Sequence, residues 1–245
     1  MGKLYVVGFG PGGYEHMTAK CIDVIEKADI ITGYTTYVEM LKEFFPDKTY
    51  LATPMMQEVK RCRMAVEEAM KDQTVAMVSS GDSGIYGMAG IIYQVAEEMG
   101  ADIEIETVPG VTAGSAAASV LGAPLMHDFA VISLSDLMTP LDLIMKRVDC
   151  AGQSDLIVCL YNPKSKKRTS YVEQAADILM KYRSPGTPVG IVRHAGRRGE
   201  QSQITTLAEL KDAEIDMFSV VLIGNSQTYV SNGRMITPRG YNLEK

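Results

Sequence analysis

The stretch Val75 to Gly90, V-A-M-V-S-S-G-D-S-G-I-Y-G-M-A-G, decides how the rest of the chain is read. An apolar, β-branched run enters a turn of glycine, serine and aspartate. Met88, Ile91, Ile92, Val95 and Met99 then recur at helical spacing, so the order is strand, tight loop, helix. Such a junction is expected to set bare backbone N–H groups at a helix N-terminus beside one acid, Asp82. Gly81, Gly84 and Gly87 allow approaches that a side chain would block, and a small polar ligand is the expected occupant.

The same rhythm runs outward in both directions. Leu4 to Gly13, L-Y-V-V-G-F-G-P-G-G, is a buried strand ending in a glycine loop, followed by Met17, Cys21, Ile25 and Ala28 at helical spacing. The loop approaches the dinucleotide pattern G-x-G-x-x-G, but Pro11 interrupts it and Gly13 comes one position late. Asp29 also precedes the next strand rather than ending it, where a ribose-binding acid belongs, so a dinucleotide site is disfavoured. Asp29 to Gly33 begins a second strand, and Val59, Cys62, Val66 and Met70 mark a helix with one apolar side. Ile103, Ile105 and Thr107 alternate with acids as in a half-exposed edge strand, which runs into V-P-G-V-T-A-G and a small-residue helix, Ser115 to Leu121. Three strand ends, at Gly8, Gly81 and Gly110, therefore carry glycine turns. In open α/β sheets ligands gather outside such carboxyl ends.

Gly122-Ala123-Pro124 is the expected boundary between two α/β domains, 1–121 and 122–245. Beyond it come strand Phe129 to Leu134, then Thr139 as N-cap with Pro140 opening a helix. An apolar run from Leu156 to Tyr161 stops at Asn162-Pro163, and Lys164, Lys166, Lys167 and Arg168 follow at once. Next are strand Val189 to Val192, the loop R-H-A-G-R-R-G-E, a capping box of Thr206 with Glu209, strand Ser219 to Ile223 and the tail Met235 to Tyr241. The basic clusters around Lys164 and Arg197 each follow a strand. Together they fit a wall for a polyanion, with arginine suited to carboxylates by its two parallel donors.

Composition narrows the function classes. The chain has 245 residues, 46% hydrophobic and 22% charged, with a net charge of −6, which disfavours a general nucleic-acid or anionic-membrane binder. The first residues do not resemble a leader, since Lys3 leads directly into a strand, and no apolar run is long enough to span a bilayer, so the cytoplasm is expected. Cys21, Cys62, Cys150 and Cys159 form no C-x-x-C pair and only three histidines accompany them; no metal site is expected, and the thiols read as small buried hydrophobes.

G-F-G-P-G-G, S-G-D-S-G-I-Y-G and V-P-G-V-T-A-G, in this order and spacing, resemble the tetrapyrrole (corrin/porphyrin) methylase family. Val131 to Pro140, Leu160 to Ser165, Ile191 to Glu200 and Met235 to Tyr241 further resemble the branch that methylates C17 of precorrin-3B, cobalt-bound or cobalt-free, in cobalamin biosynthesis. The resemblance implies two α/β domains with a cofactor cleft between them, a homodimer, S-adenosyl-L-methionine as methyl donor and a tetrapyrrole acceptor. It implies cofactor contacts at Ser80, Gly81, Asp82, Ile85, Thr112 and Ala113, and further ones at Tyr161, Asn162 and Ala195. Gly10, Pro11 and Gly12 are expected on the tetrapyrrole side, and Lys164, Arg193 and Arg197 against its carboxylates. Many relatives have G-D-P where this chain has Gly81-Asp82-Ser83, which leaves the Ser83 hydroxyl for the substrate.

Methyl transfer to carbon asks mainly for alignment of the reacting atoms. The implied ring contraction also needs proton transfers, for which His194, His127, Asp136 and Ser83 are candidates. Histidine suits such work because imidazole titrates near neutrality. Alternatives are a sister methylase acting at another position or on another substrate such as RNA, and a non-catalytic tetrapyrrole-binding module.

Overall fold

The computed structural model describes residues 2–242. It divides into two compact units, the first ending at Ala113 and the second beginning at Gly114.

The first unit alternates strands and helices: β1 (Lys3–Gly8), α1 (Ala19–Lys27), β2 (Ile30–Tyr34), α2 (Thr35–Lys42), β3 (Thr49–Thr53), α3 (Glu58–Ala69), β4 (Thr74–Ser79), α4 (Ala89–Glu98) and β5 (Glu104–Val108). Every pairing is parallel, in the order β3-β2-β4-β1-β5. All five carboxyl ends therefore share one edge. Side chains of β4 alternate between faces, so Ala76 and Val78 join Cys21, Ile25 and Leu41, while Val75 and Met77 join Cys62, Val66 and Ile92. Thr18 caps α1 by accepting a hydrogen bond from the Cys21 N–H at 3.1 Å. β5 is an edge strand, as its alternation foretells. Lys3 pairs with Glu104 at 2.7 Å and with Glu106 at 3.1 Å, and these charges guard the edge against stray pairing.

The stripe expected on α3 is displaced. Its buried face is Arg61, Cys62, Ala65, Val66 and Ala69, while Val59 and Met70 at the helix ends are exposed. Alanines let α3 lie close to the sheet, so the larger residues at its ends are not needed there. β3 and α2 carried no clear period in the sequence; β3 is the outer strand, and its Thr49 and Ala52 are exposed.

The second unit continues with α5 (Ala113–Leu121), β6 (Gly122–Ala123), β7 (Phe129–Ser133), α6 (Leu141–Gln153), β8 (Ile157–Tyr161), α7 (Tyr171–Leu179), β9 (Pro188–Arg193), β10 (Gln201–Thr206), β11 (Ser219–Ile223), β12 (Tyr229–Ser231) and β13 (Arg234–Ile236). The main sheet is ordered β10-β9-β11-β8-β7, and β12, β13 and β6 form a smaller one. The break falls after the first residue of α5 rather than at Gly122, because the rest of α5 packs on the second sheet. The Gly114 N–H donates to the Tyr161 hydroxyl at 2.6 Å, and a Cβ built on Gly190 would lie 2.3 Å from Leu121 Cδ1.

Two local expectations change, and one strand is added. Pro140, not Thr139, occupies the N-cap of α6, without a side-chain cap. Q-S-Q-I-T-T, to which the sequence assigns no element, is β10, paired antiparallel with β9 from Gln201 opposite Arg193 to Thr206 opposite Pro188. Thr206 does meet Glu209, donating to its carboxylate at 3.0 Å, but the helix that follows is a single 3-10 turn, Leu210–Asp212. No helix among the described residues is long and apolar enough to cross a membrane.

Candidate functional site

β4, β1 and β5 are neighbours, and their glycine turns interlock at the carboxyl edge of the first sheet. The Gly10 N–H donates to the Gly81 carbonyl at 3.0 Å, and the Gly81 N–H returns a bond to the Gly10 carbonyl at 2.7 Å. Both residues have positive φ, +80° and +72°, a conformation glycine adopts without a Cβ penalty. Gly110 seals the joint: a Cβ there would lie 2.2 Å from the Gly81 oxygen and 2.4 Å from the Gly8 oxygen. Most of the glycines in these turns thus serve backbone-to-backbone packing. Gly81 keeps an open side, where a Cβ would meet only Ala113 N at 3.7 Å and Thr112 Cα at 3.8 Å, and Gly84 faces only the Asp82 carboxylate, at 3.3 Å. Ser80, Gly81, Asp82, Thr112 and Ala113 therefore come together. Ile85 stands exposed on the same loop, and Gly10, Pro11 and Gly12 lie at the same edge.

Asp82 is not at a helix N-terminus, because α4 begins only at Ala89. Its carboxylate instead joins two turns, accepting from the Gly84 N–H at 2.8 Å and from the Gly110 N–H at 3.0 Å. Ser83 is wholly buried and its hydroxyl donates to the Val108 carbonyl at 3.2 Å. It is a strut between β4's turn and β5, not a hydroxyl offered to substrate. Asp29 likewise has a structural post, accepting from the Thr74 N–H at 2.8 Å.

In the second unit β7 and β8 run parallel, and β11 runs antiparallel to both β8 and β9. The carboxyl ends of β7, β8 and β9 consequently share one edge. Asp136, the Tyr161–Arg168 loop and the His194–Glu200 loop all emerge there. Tyr161 is engaged by the Gly114 N–H, and the Asn162 amide, at φ +51°, donates to the Ser133 hydroxyl at 3.0 Å. Asp136 accepts from the Tyr171 hydroxyl at 2.8 Å, and Arg168 lies 3.5 Å away while donating to Ser135 at 3.0 Å. The Tyr171 hydrogen bond, followed by Arg168, holds the Asp136 carboxyl below the usual carboxylate range. Asp136 is thus held as an acceptor by Tyr171 beside Arg168. Tyr171 escaped the sequence reading because nothing local separates it from the other apolar positions of α7.

His194 sits at φ +52° and stacks on Phe218, with ring centroids 5.0 Å apart and planes at 26°; the neighbouring Ala195 is buried. Its loop is shaped by Glu200, which accepts from the Gly196 N–H at 2.7 Å, and by the Arg197 N–H donating to the His194 carbonyl at 2.9 Å. His127 is elsewhere. It precedes β7, at the opposite edge of the sheet, and its Nδ1 accepts from the Asp128 N–H at 2.9 Å. Arg193, expected on substrate carboxylates, is committed within the protein to Glu214 at 2.8 Å and to Asp216 at 3.1 Å. Lys164 lies half-buried in the loop after β8.

Burial would raise the Asp216 carboxyl, but hydrogen bonds from Ser219 and the Phe218 N–H, with the charge of Arg193, outweigh it and hold the group below its ordinary value. A depressed folded value means the unfolded chain takes up the proton first. Asp216 therefore contributes stability that is present above about pH 4, the ordinary carboxyl range, and is lost as pH falls through the lower folded value. Urea midpoints for the parent and for Asp216→Asn should converge as pH falls from 5 to 2.5 (about that interval). A constant gap across it would refute the assignment.

Burial pushes the Cys21 and Cys159 thiols up to about 12 and Cys62 up to about 11, while Cys150 is exposed. No cluster of ligating side chains suited to a metal occurs among the described residues.

Residues 3–211 match the family model described as Tetrapyrrole (Corrin/Porphyrin) Methylases. A Salmonella typhimurium protein named "Probable cobalt-factor III C(17)-methyltransferase" is 47% identical over 240 residues, covering 98% of this chain and 100% of that protein. One of the same name from Methanocaldococcus jannaschii is 43% identical and covers 97% of each. The solved structure titled "Crystal structure of the methyltransferase CobJ" superposes with a TM-score of 0.89 at 33% identity, over 97% of this chain and 100% of that one. With the three interlocked glycine turns on their parallel sheet, these matches place the chain in the tetrapyrrole (corrin/porphyrin) methylase family.

Proposed function

We propose that this protein methylates C17 of a tetrapyrrole of the cobalt-factor III or precorrin-3B type, with contraction of the ring, in cobalamin biosynthesis. S-adenosyl-L-methionine is the methyl donor, and the enzyme works as a homodimer in the cytoplasm. The observation that carries the reading is the end-to-end 47% identity to a relative named for that reaction.

The residues present suit the donor. The open side of Gly81 beside Thr112 and Ala113 is lined by backbone, so a flat group can lie against it where a Cβ would intrude. Ser80, Gly81, Asp82, Ile85, Thr112 and Ala113 hold the cofactor in this proposal, with Tyr161, Asn162 and Ala195 as further contacts. When bound, it supplies an electrophilic methyl on sulfonium. The chain's own task is then to align that methyl with the acceptor carbon and to keep water away. Asp82 also fixes the two turns, through the bonds it accepts from the Gly84 and Gly110 N–H groups. His194, held by the Phe218 stack, is the proton-transfer group, with Asp136, fixed by Tyr171, as a second candidate. Lys164 and Arg197 are assigned to substrate carboxylates, and Gly10 to Gly12 to the tetrapyrrole side.

Incubation with cobalt-factor III and methyl-labelled S-adenosylmethionine should place a single label at C17; label at another carbon would refute the reading. Asp82→Ala should weaken S-adenosylhomocysteine binding about tenfold, since it removes two charge-assisted bonds that set the turn. Unchanged affinity by calorimetry would take Asp82 out of the site.

A further inference from the structure

β3 ends at the same edge as the glycine turns, and the loop after it, T-P-M-M-Q, displays two methionines to solvent: Met55 is 52% and Met56 81% exposed. Met56 stands at φ +65°, a conformation unfavourable for a residue with a Cβ. An ordinary surface loop would relieve both features with glycine or a polar residue. Here they are braced from beneath. Arg61 of α3, only 3% exposed, donates to the Thr53 hydroxyl at 2.7 Å, the Thr53 carbonyl at 3.2 Å and the Pro54 carbonyl at 3.4 Å. Glu58 accepts from the Met56 N–H at 3.1 Å and lies 3.7 Å from the same guanidinium. The other arm of Arg61 reaches Met88 Sδ at 3.8 Å, where the loop carrying exposed Ile85 and Tyr86 closes. One buried cation thus holds two apolar loops at one edge of the sheet.

We propose that Met55 and Met56 form an apolar lip on which the flat face of the tetrapyrrole macrocycle rests, making them substrate-positioning residues. The inference rests on the tetrapyrrole reading above and extends it to residues outside the glycine turns. Thr53 to Gln57 and Gly84 to Met88 contain no charged side chain, so the lip offers no cation to the carboxylate arms and suits the ring itself. Thioethers are polarizable and adapt to a conjugated surface, which favours methionine over a branched aliphatic here. The lip is also continuous with the turns assigned to the methyl donor, where the acceptor has to arrive.

The test is the double variant Met55→Ser/Met56→Ser, with Met55→Leu/Met56→Leu as its apolar control. Cobalt-factor III binding is followed by absorbance, S-adenosylhomocysteine binding by calorimetry, and native mass by size exclusion. The serine pair should raise the tetrapyrrole Kd about tenfold or more, as expected for two apolar side chains that lose their cover. The leucine pair should stay within about threefold, and cofactor affinity, thermal midpoint and native mass should hold. An unchanged tetrapyrrole Kd overturns the proposal, as does a parallel loss of cofactor affinity. A shift in native mass would mean that a second copy of the chain covers the lip. If the parent binds cobalt-factor III without methylating it, the proposed reaction fails while the Kd comparison still decides the lip. A parent that binds no tetrapyrrole sinks both.

Discussion

Gly110→Ala should destabilise the first unit by about 3 kcal/mol and abolish measurable binding of S-adenosylhomocysteine. The added methyl would lie 2.2 Å from the Gly81 oxygen, 2.4 Å from the Gly8 oxygen and 2.6 Å from the Gly8 carbonyl carbon. All three are backbone atoms at the ends of paired strands, so no rotamer change relieves the clash. Replacing glycine elsewhere commonly stabilises by about 0.4–1 kcal/mol through the unfolded chain, and that gain is too small to compensate. Gly90 gives the contrast. It lies in α4 with nothing within 4 Å of a built Cβ, so Gly90→Ala should be neutral or stabilising by up to about 1 kcal/mol. Thermal and urea unfolding of the two variants, with calorimetry on each, make the comparison. A Gly110→Ala protein as stable as the parent would show that the three turns do not pack as described.

Arg183→Leu should cost the second unit about 3 kcal/mol. The guanidinium is buried just after α7 and donates to the Gly224 carbonyl at 2.7 Å, to Leu156 and, at 3.5 Å, to Ala151. It ties the last turn of α6, the entrance to β8 and the exit of β11 to one point. No carboxylate bonds to it directly among the described residues, although the charge of Asp155 acts on it, and burial lowers its pKa. Leucine fills much of the space but strands the carbonyls without donors, each at about 1–3 kcal/mol. Removing the cation also removes its own desolvation cost, which keeps the net figure below the sum of those terms. Arg183→Lys should rescue little, because one ammonium cannot span acceptors that the planar fork reaches together. A urea midpoint for the leucine variant within about 1 kcal/mol of the parent would mean that the buried charge nearly cancels its own bonds.

Local rules carried far into this protein. Alternation marked β5 as an edge strand, the β-branched run marked β4 as a strand, and glycine followed each of three strands that end at one edge of the sheet. Those signals pass between residues a few positions apart, which is why they survive in the bare sequence. The motifs then supplied the family, which composition could not.

What the sequence by itself determined was the α/β alternation, the two-part division in outline and the glycine turns at the carboxyl ends of three strands. The tertiary structure alone decided what each site residue does. Asp82 meets Gly110, Ser83 meets Val108 and Arg193 meets Asp216 across spans of 28, 25 and 23 residues. Such partners are set by strand order and register, and no periodicity encodes them. The same holds for His127, which strand direction removes to the far edge, and for α5, whose glycine and leucine contacts assign it to the second unit. Arg61 is the strongest case: an arginine in a helix reads as solvated, and only its burial among three backbone and side-chain acceptors turns it into the brace of an apolar loop. Identity along the chain is local chemistry, whereas role is a matter of which distant groups the fold has desolvated together.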